Sequence, residues 1–183
     1  MIPGYTIAAI IMIFRATKGR VLTLRNIIGF HNPDEVNGYL SNWYLADFTV
    51  DDTEYSSMEQ YMMHKKAMLF NDNDIAEQIM NTNNVGKIKA LGRSIINYND
   101  VIWNGVRQVI IYKGLLEKFK QNKNLREQLL STGNDILAEC AVQDVIWGIG
   151  ISMTDPNRYQ VESWKGQNLL GFSLMLVREE LKK

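Results

Sequence analysis

Along most of the chain beyond Ser57, apolar residues recur every three or four positions with polar ones between, the spacing of helices that each bury one face. The pattern predicts helices over Ser57–Phe70, Asp74–Met80, Val85–Leu91, Val101–Gln121 and Asn124–Ser131, the last stopped by Gly133. In the closing stretch, "NLLGFSLMLVREELKK", Leu170, Leu174, Val177 and Leu181 keep helical spacing, and basic residues in the last turn suit the helix dipole. Elsewhere the period breaks. "ILAECAVQDVIWGIGIS" (Ile136–Ser152) alternates poorly and holds two glycines, so it reads as a short strand followed by a turn-rich loop. Ahead of Ser57 lies strand and turn material. "HNPDEVNG" (His31–Gly38) is a loop by composition, and "DFTVDDTEYS" (Asp47–Ser56) a short hairpin about Asp51-Asp52. The fold expected is mainly α, a compact multihelical single domain with a small β element near the N-terminus. No repeat, low-complexity tract or linker divides it.

Composition narrows the function classes. A length of 183 residues suits one domain, and 46% apolar residues suffice for a real core. Twenty basic and twenty acidic residues cancel, which argues against a nucleic-acid binder held by a broad basic face and leaves room for a local basic pocket. Cys140 is the single cysteine and His31 and His64 the two histidines, a poor inventory for zinc and no basis for an internal disulfide. No metal or cofactor is expected, and the protein reads as cytoplasmic, with a monomer favoured but the oligomeric state not fixed by the sequence. The run "YTIAAIIMIF" (Tyr5–Phe14) is shorter than the ~20 residues of a spanning helix. Its basic neighbours Arg15, Lys18 and Arg20 follow it, where a signal peptide would put them first. Residues 1–25 are therefore expected to be a strand or irregular extension ahead of a domain over 26–183.

Candidate chemistry begins with "SSMEQYMMHKKA" (Ser56–Ala67), which does not form a simple amphipathic stripe. Ser56 and Glu59 have capping-box spacing, so Glu59 is either a helix cap folded onto the Ser56 amide or a free carboxyl. In a regular helix Glu59, Met62, Met63 and Lys66 share a face, with Glu59 and Lys66 ~10 Å apart along the axis, placed to flank a small ligand. Lys65 points elsewhere and reads as a solvated charge. Asn42-Trp43, in "LSNWY", is either an Asx-turn with a half-buried ring or an amide beside an aromatic plane. Arg93, just past Gly92 at an expected helix end, is a fair phosphate ligand. In "DVIWGIG", Trp147 between Asp144 and Gly148 is either a core ring beside a turn or a stacking plane the backbone can approach closely. Trp103 in "VIWNGVRQ" has a stronger claim to be helix core.

No phosphate-binding glycine loop, dinucleotide fingerprint, Ser/His/Asp order or metal-ligand cluster is present. Carboxylates, amides, lysine and aromatics remain, and they suit cleavage of a glycosidic bond. The oxocarbenium-like transition state there carries positive charge that a carboxylate stabilises.

In order, "GYLSNWY", "SSMEQYMMHKKA", "KALGR", "IWNGVRQ", "LAECAVQDVIWGIG" and "GQNLLGFSLMLVRE" resemble the motifs of the NADAR/YbiA-like family of N-glycosidases, over roughly Ile28 to Leu181. The resemblance implies a mainly helical fold and hydrolysis between ribose C1′ and a nitrogen base. Substrates known for relatives are phosphoribosylamino-pyrimidine intermediates of riboflavin synthesis, or ADP-ribose on a base, notably guanine in nucleic acid. It further implies Glu59, Lys66 and Asp144 as catalytic residues, Trp103 and Trp147 as pocket rings, and Asn168 as a ligand. With Asn42, Trp43, Arg93 and Gly148 these complete the expected substrate site, Asn42 and Asn168 orienting sugar hydroxyls. Riboflavin-type members carry an acid directly after Trp-Gly, where this chain has Ile149; that favours the ADP-ribosyl class, with an ADP-ribosyltransferase as possible partner. Two other classes compete: a non-catalytic NAD or ADP-ribose sensor, and a helical scaffold with no pocket.

Overall fold

A computed structural model describes residues 26–183; the run Tyr5–Phe14 and the rest of the expected extension lie outside the described residues. The chain enters through β1 (Ile27–Phe30) and, after a loop and a short 3-10 turn over Gly38–Leu40, forms the hairpin β2 (Leu45–Val50) and β3 (Thr53–Ser57). Asp51 and Asp52 both take positive φ, 49° and 60°, as a two-residue hairpin turn requires. Five helices follow: α1 (Met58–Leu69), α2 (Asn73–Met80), α3 (Val85–Arg93), α4 (Asp100–Gln121) and α5 (Lys123–Ser131). β4 (Ile136–Glu139) then pairs in parallel with β1, Ile27 opposite Ile136 and Phe30 opposite Glu139. A long loop leads to α6 (Leu169–Leu181). The β content is thus not confined to the front of the chain, because β4 returns from the far side of five helices to find β1.

Helix α1 sits at the centre, against β3, α2, α3 and α4. This explains its unpatterned sequence: Met58, Glu59, Gln60, Tyr61 and Met62 are all buried, so its first turns have no solvent face to mark with polar residues. Tyr55 and Tyr61 meet edge to face at 5.1 Å and pack with Phe48 from β2. α4 lies across α1 and α6, burying Ile111, Leu115 and Phe119, while α6 covers β4. Gly92 does not end α3, as its sequence position suggests, but lies inside it. A Cβ there would fall 2.0 Å from the Met63 sulfur, so glycine is what lets α3 approach α1. No helix among the described residues is long and apolar enough to cross a membrane.

Candidate active site

The first question is what Glu59 does. The helix cap falls one residue later than Ser56: Ser57 Oγ accepts the Gln60 amide at 3.2 Å, and Gln60 Oε1 accepts the Ser56 N–H at 2.8 Å. Gln60 Nε2 goes on to donate to Ile79 O and Thr82 O, tying α1 to the end of α2. Gln60 therefore performs the reciprocal capping expected of Glu59. Only the Glu59 backbone is so engaged, its N–H donating to Asn42 O at 2.9 Å. Its carboxyl faces a cavity.

That cavity measures about 280 Å³. From α1 come Glu59, Met62, Met63 and Lys66, the face that helical spacing predicts; the turn before β2 adds Asn42 and Trp43. α3 contributes Lys89 and Arg93, α4 contributes Trp103, and the far wall is Glu139 at the end of β4 with Asp144 and Trp147 from the loop beyond. Lys65 turns away to the hairpin, 3.7 Å from the Asp51 carboxylate.

Burial dominates the electrostatics. Glu59 is 3% exposed, and desolvation pushes its carboxyl up to about 7 with help from the Asp144 charge. Lys89, a hydrogen bond from the Trp43 side chain and Arg93 pull the other way. Glu139 is pushed up to about 8, again by burial first and then by Asp144 and Glu59, and its Oε2 has no hydrogen-bond partner. Lys66 Nζ donates to Gly92 O at 2.8 Å and stands 4.3 Å from the Tyr98 ring centre and 5.9 Å from that of Trp103. Burial lowers its pKa, opposed by Asp100 and Glu59. The cavity thus holds two carboxyls that take up protons near neutrality and an amine whose pKa burial lowers from the ordinary lysine value.

Asp144 is partly spoken for. Its Oδ1 accepts the amides of Ile146 and Trp147 at 3.0 and 2.8 Å, which sets the turn presenting the Trp147 ring. Behind that ring stands the Arg107 guanidinium, 5.8 Å from its centre. Two expected ligands are not in the lining. Asn168 is fully buried at φ 52° ahead of α6; its Oδ1 accepts the Glu139 N–H at 3.0 Å and its Nδ2 donates to Leu137 O at 2.8 Å. Both ends of the amide serve backbone, and the side chain is buried away from the cavity lining. Gly148 is a packing glycine, since a Cβ there would lie 2.8 Å from Glu139 O and 2.9 Å from Asp144 O.

Glu139 and Lys89 escape the sequence reading. Each left a signal: Glu139 is an acid closing the otherwise apolar strand "ILAE", and Lys89 lies four residues before Arg93, hence on the same helix face. Lys89, Arg93 and Asp144 also line a second cavity of about 440 Å³, walled by the loop after β1 (His31, Asn32, Glu35) and by Ser152–Thr154.

A family model for the NADAR domain matches residues 29–182. The chain belongs to the NADAR family. Among its relatives, the N-glycosidase R617 of Acanthamoeba polyphaga mimivirus is 40% identical over 145 residues, 76% of this chain and 85% of that protein. The riboflavin biosynthesis protein VVA0006 of Vibrio vulnificus is 33% identical over 156 residues, 85% of this chain but 39% of that longer protein. The NMR structure of the E. coli protein YbiA superposes with a TM-score of 0.72 at 28% identity, covering 91% of each chain. NADAR membership and this superposition agree with the mainly helical domain described above.

Proposed function

We propose that this NADAR protein, an N-glycosidase, removes ADP-ribose from a modified base, with guanine in nucleic acid as the acceptor. The observation that carries the reading is a pair of carboxyls in one cavity, Glu59 buried and Glu139 half-buried, poised near neutrality beside the amine of Lys66. Breaking the C1′–N bond leaves the electron pair on the base nitrogen and positive charge on the ribose. Glu139, the weaker acid, keeps its proton at neutral pH and delivers it to the departing base. Glu59, the stronger, ionises as the pH passes about 7 and either sits against the cationic carbon or takes a proton from the water that adds there. Trp103 and Trp147 wall the base, and Asn42 orients a sugar hydroxyl.

Lys66 is placed for a second route. On a ring-opened sugar its amine attacks C1′, the base nitrogen leaves with a proton, and water then hydrolyses the resulting Schiff base to aldehyde and free amine. Borohydride during turnover reduces such an intermediate to a stable adduct on Lys66. Absence of an adduct leaves Lys66 as a binding residue.

Substrate size supports the ADP-ribosyl class. The second cavity shares Lys89, Arg93 and Asp144 with the first, so two cations border both spaces where a diphosphate would lie, and its volume of about 440 Å³ suits a further nucleoside. Ile149, where riboflavin-type members resemble one another in carrying an acid, is fully buried with Ala138, Cys140 and Ile151. The name of the Vibrio vulnificus relative keeps a phosphoribosylamino-pyrimidine as the second reading. Incubation with ADP-ribosylated guanosine and with the pyrimidine phosphate, scored for free base, separates them: release from the first alone is expected, and release from the second alone overturns the assignment.

A further inference from the structure

The mechanism leaves three buried cations unused among the described residues, Arg107, Lys118 and Arg178, and Lys118 is the most deeply buried of them. Lys118, on α4, is fully buried, and no salt bridge among the described residues includes it. Burial alone pushes its ammonium down to about 7. A methionine of similar volume would fill the space at less cost, so what the amine holds is informative. Its Nζ donates to Tyr39 O at 3.0 Å and stands 5.4 Å from the ring centres of Tyr44 and Phe119. Tyr39 and Tyr44 are the two shoulders of the turn that carries Asn42 and Trp43. Within that turn Asn42 O accepts the Glu59 N–H, and Trp43 lines the cavity with Glu59, where its side chain favours the ionised carboxyl.

We propose that Lys118 is a positioning residue for Glu59: by gripping Tyr39 and Tyr44 at once it fixes the turn that aims Asn42 and Trp43 at the carboxyl. The inference rests on Glu59 being the reacting carboxyl. Around Lys118 the titratable neighbours are Tyr39 and Tyr44, and the Arg178 charge on α6 reaches Tyr39. Around Glu59 stand Lys89 and Arg93 from α3, Asp144 and Glu139 from the opposite wall, and Lys66 from its own helix. Loss of Lys118 leaves every one of those charges in place and loosens the turn that holds Asn42 against the Glu59 amide and Trp43 beside the carboxyl, whose ionised form Trp43 favours.

The test is Lys118→Met in the full chain, with Glu59 followed by carboxyl 13C NMR titration and catalysis by base release. The Glu59 midpoint is expected to rise by about half a pH unit, the acidic limb of kcat/KM to move with it, and the rate to fall about twofold at neutral pH and about threefold well below it. Melting temperature is expected to hold or rise. Trp43→Phe should give the same displacement, and the double variant no more than either single one. Should Lys118→Met fail to fold, Tyr44→Leu, which removes one of the two footholds, must move the midpoint in the same direction. An unmoved Glu59 midpoint in the folded variant overturns the proposal. A moved midpoint with base release untouched upholds the clamp and counts instead against Glu59 as the reacting group.

Discussion

Two buried asparagines show how differently this fold treats polar groups. Asn168 and Asn42 are 0% and 5% exposed, and both precede a local turn onto a structural element. At Asn168 the amide oxygen and nitrogen each meet a backbone partner, and the left-handed residue locks β4 to the start of α6. At Asn42 the amide oxygen has no partner and lies beside Glu59 in the cavity. The same contrast separates the two regions at large. Around α6 and the turn that leads into β4 polar side chains are consumed by architecture: Arg178 donates to Thr132 Oγ1 at 2.6 Å and to Asp135 O at 2.9 Å. In the α1–α3 cavity an orphaned amide oxygen, an orphaned carboxylate oxygen on Glu139 and three mutually repelling acids persist. A buried group without a partner costs stability, so its retention marks the place where a ligand supplies the missing contacts.

Substitutions should separate the two kinds of site. The largest effects belong to the cavity. Glu139→Gln and Lys66→Met should each lower kcat/KM by about 100- to 1000-fold with the melting temperature unchanged or raised, the range expected for losing an acid–base or nucleophilic group. Glu139→Gln should also remove the alkaline limb of the rate profile, near pH 8. Next comes the asparagine pair. Asn168→Ala strands the Glu139 N–H and Leu137 O and should cost about 3 kcal/mol in urea unfolding, with activity per folded molecule near normal. Asn42→Ala should cost no more than about 1 kcal/mol yet slow base release by about tenfold or more. If the two behave alike, the distinction between spent and unspent amides is wrong.

The same difference has a pH signature. Folded Glu59 keeps its proton up to about 7, whereas in the unfolded chain it ionises near 4.5. Between those values the folded state binds more protons, so stability falls as pH rises through the window. Glu59→Gln should therefore stabilise the protein by on the order of 2 kcal/mol at pH 8 and by nothing near pH 4, read from urea midpoints at the two pH values. Smallest of all is Gly92→Ala. Its methyl group would displace the Met63 side chain into the cavity and raise KM about threefold with little change in kcat.

Helical period alone located the helices to within two residues, because each of those segments except α1 keeps a solvent face. It also placed Glu59, Met62, Met63 and Lys66 on one side of α1, a consequence of spacing that holds whatever surrounds the helix. Asn42, Trp43 and Arg93 stood out by residue type and Trp103 and Trp147 through the family resemblance, but no local pattern brings such sequence-distant residues to one cavity. The Ser56/Glu59 cap failed for a local reason: Ser56 and Ser57 are adjacent, as are Glu59 and Gln60, so two capping registers fit the same letters. Which one forms depends on Gln60 reaching Ile79 O and Thr82 O, contacts of a different helix. Asn168 misled for the same reason, because a ligand and a strand clasp look identical until β4 is seen beside it.

At the centre of the account stands one buried carboxyl whose proton leaves near neutrality. Its most direct test is the pH dependence of kcat/KM for base release by the wild-type chain and by Glu59→Gln, each checked for an intact melting transition. The wild type should show an acidic limb near pH 7, and the variant should run at least about a thousandfold slower at every pH. A folded Glu59→Gln protein that releases base at the wild-type rate would contradict it.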